Sequence, residues 1–212
     1  MNWVVGITAA KRKPEYLSKT LHSLAGAGWD DMRVFYDTLG AGPYQTFQRA
    51  LRGLVEDAKR LRANGKPTWC LVAQDDVEFT EGLKAHLDAT NPPRDAVLSL
   101  YTPAVLDRGD SGWFYAPRMP RSYGALAVMF PLQLAMMFSH NPPSPHARRQ
   151  TDWWISKWCS EHKVNLYVHS PSFTKHIGEE SSIGNHAGIN QQYRQCKTWL
   201  SRIGGPLEEV TG

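Results

Sequence analysis

The chain is poor in cysteine and has none in a pairing pattern. Cys70, Cys159 and Cys196 are its three. They are odd in number and far apart, which argues against a disulfide framework and a zinc site and for a reducing compartment. No apolar run approaches the length of a membrane-spanning helix. The opening residues, Met1-Asn2-Trp3-Val4-Val5-Gly6, lack the basic start and long apolar core of a signal peptide. They read as a first strand, and a cytoplasmic protein is the expectation. Neither G-x-G-x-x-G nor G-x-x-x-x-G-K-[ST] occurs, which excludes a dinucleotide fingerprint and a P-loop NTPase. The G-x-S-x-G elbow of many hydrolases is missing too. Gly109-Asp110-Ser111-Gly112 looks superficially like a serine-protease signature, but no barrel-like strand pattern surrounds it. There is no internal repeat, no low-complexity tract and no break in composition that would mark a domain boundary.

What is present describes a globular chain. Its 212 residues suffice for one domain with a real core, and 42% hydrophobic against 21% charged residues fits a soluble protein. The net charge of +4 and pI of about 9.0 bias it mildly toward anionic partners: a nucleotide, a nucleic acid or an acidic glycan. The basic residues form short groups, Lys11-Arg12-Lys13 and Arg148-Arg149, which serve equally as a solvated surface. Eight tryptophans supply core volume or stacking surfaces for flat substrates.

Along the chain, strands and helices alternate. Residues 3–8 read as a strand. Pro14 then opens a helix with Leu17, Leu21 and Leu24 at helical spacing, closed by Gly26 and Gly28. Residues 33–37 form a second strand ending in Asp37. Phe47, Leu51, Leu54, Ala58 and Leu61 mark the clearest amphipathic helix, stopped by Asn64-Gly65 and Pro67. Residues 69–73 are a buried strand. Thr80 is a candidate cap for a helix carrying Leu83 and Leu87, and residues 96–101 are a further strand. This β-α-β-α-β-α-β order predicts an α/β fold with a mostly parallel central sheet flanked by helices. Residues 102–123 are irregular, with several prolines and glycines around Trp113-Phe114-Tyr115. A strand over 124–130, helices from Pro131 and Thr151, a late strand over 164–168 and a last helix over 191–203 complete the expectation.

The chemistry gathers at the ends of these elements. The central strand ends in Gln74-Asp75-Asp76. Adjacent carboxylates repel, so the pair is stable near a cation or in water. A hard divalent cation shared with substrate phosphates is one reading, and a solvated loop is the other. In a parallel sheet Thr8, Asp37 and the acid pair share the edge where such folds bind ligands. His176 follows the last strand, in Pro171-Ser172-Phe173-Thr174-Lys175-His176-Ile177-Gly178.

Together these segments resemble a glycosyltransferase of the GT-A type, the nucleotide-sugar-dependent fold. Residues 8–17 with Thr20-Leu21-His22-Ser23-Leu24 are similar to its opening nucleotide-binding strand, loop and helix. Gln74-Asp75-Asp76-Val77 resembles the D-x-D motif in its E-D-D-V variant. Residues 171–178 with Ser181-Ser182 resemble a C-terminal segment of some N-acetylglucosaminyltransferases. The resemblance implies a single Rossmann-like domain, with residues 1–101 as the nucleotide-sugar-binding half and 102–212 as the acceptor and catalytic half. It implies transfer of a hexose from a nucleotide diphosphate donor, a UDP-sugar, to an acceptor hydroxyl with inversion, using Mn²⁺ or Mg²⁺. Asp76 and His176 are then the metal ligands. Asp75 contacts the donor ribose or a metal-bound water, and Asp37 faces the base. Thr8, Arg12, Gln74 and Lys175 complete the donor site. Asp152, beside Trp153 and Trp154, is the general base, and Trp113 and Trp153 offer surfaces to the acceptor. Gln74 departs from the motif, standing where the family has an acid. The acceptor is a saccharide or glycoconjugate, or a hydroxymethylated base in DNA, as in a small bacterium- or phage-encoded enzyme. A sugar-phosphate nucleotidyltransferase and a non-catalytic nucleotide- or glycan-binding module are the alternatives.

Overall fold

A computed structural model describes residues 1–10, 14–61, 65–116, 124–141, 151–178 and 196–209. The first half alternates as its periodicity predicts: β1 (Asn2–Ala9), α1 (Pro14–Ala27), β2 (Met32–Tyr36), α2 (Pro43–Leu61) and β3 (Thr68–Gln74). Then come β4 (Val77–Phe79), α3 (Leu83–Thr90), β5 (Ala96–Ser99), a 3-10 turn at Ala104–Leu106 and β6 (Gly112–Tyr115). The rest comprises β7 (Ala127–Pro131), α4 (Leu132–Ser139), α5 (Thr151–Glu161), β8 (Asn165–Ser170), β9 (Thr174–His176), β10 (Thr198–Leu200) and β11 (Leu207–Glu209).

A seven-stranded sheet in the order β2-β1-β3-β7-β5-β8-β6 forms the centre. The β1–β2, β1–β3 and β5–β8 ladders are parallel, whereas β7 runs antiparallel to both its neighbours and β6 antiparallel to β8. Five strands therefore point one way, as expected of a mostly parallel sheet, with β7 and β6 reversed. An antiparallel strand at the centre brings its starting end, residues 124–126, to the edge where β1, β3 and β5 finish.

The central strands are buried on both faces, so they read as continuous apolar runs. In β3, Cys70 and Val72 join the core under α2, α4 and α5. Trp69, Leu71 and Ala73 face the other way, toward α1 and α3. The stripe on α2 buries Phe47, Leu51, Leu54 and Ala58, and each fully buried large apolar side chain contributes about 1.5–3 kcal/mol. Close approach of α2 demands a glycine in β1. A Cβ at Gly6 would lie 3.1 Å from both Leu54 and the Phe35 ring.

Three expectations are corrected. The segment expected to be a last helix over 191–203 is, where described, strand β10, paired antiparallel with β11. Residues 191–195 lie outside the described residues. Thr80 does not cap α3. Gly82 occupies the cap position, and the Thr80 hydroxyl is bonded to the carbonyls of Phe173 at 2.9 Å and Leu200 at 2.5 Å. The stretch 102–123 contains an ordered edge strand, β6, because Trp113 to Tyr115 pair with β8.

Candidate functional site

The acid pair sits in the tight turn between β3 and β4. Val77 N–H donates to the buried Thr20 hydroxyl at 3.1 Å and Phe79 N–H to the Ser23 hydroxyl at 3.2 Å, so α1 fastens the strand that follows the acids. Short strand β4 pairs antiparallel with β9, with Val77 opposite His176. Ile177 N–H donates to the Asp76 carbonyl at 2.9 Å. This register sets a long-range side-chain contact: His176 Nε2 lies 3.1 Å from Asp76 Oδ2. The Asp76 side chain is 2% exposed and that of His176 16%. Gly178 completes the wall, since a Cβ there would lie 2.5 Å from Asp76 Oδ2. Asp75, also buried, points elsewhere. Its Oδ2 accepts the N–H of Ala10 at 2.9 Å, tying the end of β1 to the acid turn.

A third carboxylate, Asp152, comes from α5. Asp152 Oδ2 accepts the N–H of Gly124 at 3.0 Å, and Oδ1 accepts the N–H of Trp153 at 2.8 Å. The neighbouring segment 124–126 is held by Gln74, whose backbone N–H donates to Leu126 O at 2.8 Å and whose Nε2 donates to Ala125 O at 3.2 Å. Two short links thus connect the acid turn with Asp152. A small cavity beside Asp152 is lined by Ala125, Val128, Ile155, Leu166 and Val168.

Other residues singled out from the sequence serve the framework. The Thr8 hydroxyl donates to the Ala73 carbonyl at 3.1 Å, across the β1–β3 ladder. Asp37 lies at the shared edge, where its two oxygens accept the N–H groups of Ala41 at 2.8 Å and Gly42 at 2.9 Å and shape the turn into α2. Lys175 alternates with His176 along β9 and so points to the opposite face. Its Nζ lies 5.2 Å from the Trp199 ring centroid. Trp113 packs edge-on against His169 at 5.0 Å, and Trp153 packs at the margin of the α2–α4–α5 core. Arg12 lies outside the described residues.

Two residues at this edge escaped the sequence reading. Asp107 accepts hydrogen bonds from Ser170 Oγ at 2.8 Å, Gly109 N–H at 3.0 Å and Thr198 N–H at 3.1 Å. Its burial opposes ionisation, but these donors outweigh it and hold the carboxyl below the ordinary aspartate range. It clamps the 3-10 turn region to β8 and β10. His169 stacks on Phe173 at 3.8 Å. Burial pushes its pKa down to about 4, although its bond to the Pro171 carbonyl works the other way. No spacing signal marks either residue: the Ser170 and Thr198 partners of Asp107 are 63 and 91 residues away, and the near partners of His169, Pro171 and Phe173, form no motif with it.

No family model matches the chain, and no curated protein matches its sequence. Solved structures do. One is a glycosyltransferase involved in the glycosylation of the major capsid of PBCV-1, with TM-score 0.53 and 12% identity over 84% of this chain and 94% of that one. A protein from STIV gives TM-score 0.51 and 11% identity over 89% and 100%. A nucleotidyl transferase from Methanothermobacter gives TM-score 0.50 and 14% identity over 81% and 89%. At these identities the likeness is one of fold. Among the described residues no helix is long and apolar enough to cross a membrane.

Proposed function

We propose that the chain is a nucleotide-sugar-dependent glycosyltransferase whose donor diphosphate is held at the Asp76–His176 pair with Mn²⁺ or Mg²⁺. The observation that carries this reading is the 3.1 Å approach of Asp76 Oδ2 and His176 Nε2. Adjacent ligands of an octahedral ion with bonds of about 2.1 Å are about 3.0 Å apart, so the two atoms fit one edge of such a coordination shell. Among the described residues no group of three or more His, Cys, Asp or Glu could hold a metal. A cation at the pair would therefore have to take its remaining ligands from phosphate oxygens and water. Bound there, the ion would supply Lewis-acid neutralisation of the leaving diphosphate.

The protein's own groups do the rest. Asp75 accepts the N–H of Ala10 and holds the end of β1 to the acid turn. Asp37, at the same edge, faces the base. Asp152 accepts the proton of the acceptor hydroxyl as its oxygen attacks the anomeric carbon, giving inversion. The backbone hydrogen bonds from Gly124 and Trp153 fix the carboxylate's orientation. The fold likeness to a glycosyltransferase supports a donor-binding half. The acceptor is a saccharide or glycoconjugate hydroxyl, or a hydroxymethylated base in DNA.

The likeness to a nucleotidyl transferase favours one second reading, synthesis of a sugar nucleotide. One experiment separates the readings. The protein is screened by thermal shift against nucleotide sugars with and without Mn²⁺, and the products are then analysed. A Mn²⁺-dependent rise in melting temperature with a UDP-sugar, followed by release of UDP, supports glycosyl transfer. Pyrophosphate released from a nucleoside triphosphate plus a sugar phosphate establishes the second reading. Binding with neither product leaves a nucleotide-binding module. DNA as acceptor predicts duplex binding that weakens steeply with salt.

A further inference from the structure

Gln74 stands where the resemblance has an acid, and the structure offers a reason for the amide. It is the last residue of β3, directly before Asp75-Asp76. Its side chain faces the Ala125 carbonyl at 3.2 Å. A carbonyl oxygen carries no proton, so the group opposite it must be a donor, and the amide nitrogen is one. A carboxylate here would set two acceptors against each other.

The Ala125 carbonyl that Gln74 grips lies one residue on from the Gly124 N–H that holds Asp152. Gly124 N–H donates to Asp152 Oδ2 at 3.0 Å. Gly124 has φ +77°, and a Cβ on it would lie 3.3 Å from the Tyr101 ring, which is fully buried. The segment is therefore pressed on one side against a fixed wall. On another side, Leu100 N–H donates to Ala127 O at 2.9 Å. A further constraint comes from the end of β3, through the Gln74 backbone and side chain.

We propose that the Gln74 amide is a positioning residue that sets Asp152 in register with the Asp75-Asp76 turn. This rests on the glycosyl-transfer reading, in which the acid turn holds the donor and Asp152 takes the acceptor's proton. The Gln74 amide acts through the Ala125 carbonyl, not on Asp152 directly. It fixes the separation of the acid turn and Asp152 by tying the Ala125 peptide to the residue that precedes the acids.

The test uses Gln74→Glu, which reverses the polarity of the contact, and Gln74→Met, which removes the donor at similar length. Both keep the backbone bond to Leu126. Steady-state transfer and backbone amide exchange at Gly124 are measured in each. Gln74→Glu should lower kcat on the order of 10- to 100-fold, the scale of a small misplacement of a catalytic group, with donor KM unchanged. Gly124 exchange should quicken, and Gln74→Met should fall between wild type and Gln74→Glu in both readouts. An unchanged kcat overturns the proposal, as does unchanged Gly124 exchange. A rise in donor KM at constant kcat also overturns it, since that places Gln74 on the donor. If the wild-type protein transfers no sugar, the functional reading fails, and Gly124 exchange in Gln74→Glu still decides whether the amide holds the segment.

Discussion

His176 Nε2 lies 3.1 Å from Asp76 Oδ2, although one hundred residues separate them. The contact depends on two three-residue strands, β4 and β9, whose register places Val77 opposite His176. It is the product of tertiary pairing, and it brings a carboxylate and an imidazole within hydrogen-bonding distance. Replacing either Asp76 or His176 by alanine should abolish the Mn²⁺-dependent part of the donor thermal shift. His176→Ala should also cost about 1–3 kcal/mol, because it removes a partner from a buried carboxylate. Urea unfolding without metal measures that cost. A full Mn²⁺ response in both variants would refute the metal assignment.

Gly178 gives an independent probe of the same carboxylate. A Cβ there would sit 2.5 Å from Asp76 Oδ2. Asp76 is buried and cannot swing out to solvent, so Gly178→Ala forces either the carboxylate or the chain after β9 to shift. We expect a loss of about 1–3 kcal/mol in stability, the usual range for overpacking, and weaker Mn²⁺ binding by calorimetry. Gly26→Ala is the control. Nothing lies within 4 Å of a Cβ at that helical site, so it should be neutral or stabilising by up to about 1 kcal/mol.

His169 predicts an acid-sensitive fold. Its pKa is pushed down to about 4 by burial, so the folded protein holds the ring neutral where the unfolded chain, near 6.5, takes up a proton. Above about pH 6.5 its contribution to stability is fully present, and it is lost as pH falls from there to about 4. The total is on the order of 3 kcal/mol. Urea unfolding at pH 7.5, 6 and 5 should show the decline, and His169→Phe should remove that part of the slope. Equal slopes in wild type and variant would mean that His169 is not the group responsible.

The sequence carried the local half of this architecture. Leu51, Leu54 and Ala58 announce α2, and the abrupt change from Ala73 to Gln74 marks a strand end at the ligand edge. Direction was not legible. The apolar run from Ala125 to Phe130 has the composition of a buried strand and says nothing of which way it runs, so β7's reversal had to come from the sheet. Short strands were equally silent, since β4 and β9 span three residues each and have no period to read. The spacing of Cys196 and Leu200 fits a helix, yet pairing with β11 prevails and makes the segment a strand. Asp75 and Asp76 were visible as a pair. Their division of labour, one toward the β1 loop and the other toward β9, is a property of the fold.

Asp152→Asn tests the proton acceptor. Asparagine keeps nearly the same shape, but its nitrogen cannot accept, so one of the bonds from Gly124 and Trp153 is lost. That loss should cost about 1 kcal/mol in stability. The larger effect should fall on chemistry. A neutral amide cannot take the acceptor's proton, and removing a general base typically costs about 100- to 10,000-fold in rate. Donor binding should survive, because the β4–β9 register sets the Asp76–His176 contact. The expected result is therefore an intact Mn²⁺- and donor-dependent thermal shift with transfer reduced by at least about 100-fold. Loss of the donor shift would instead place Asp152 on the donor. Retained transfer would send the search for the base elsewhere along the edge formed by the ends of β1, β3, β5 and β8.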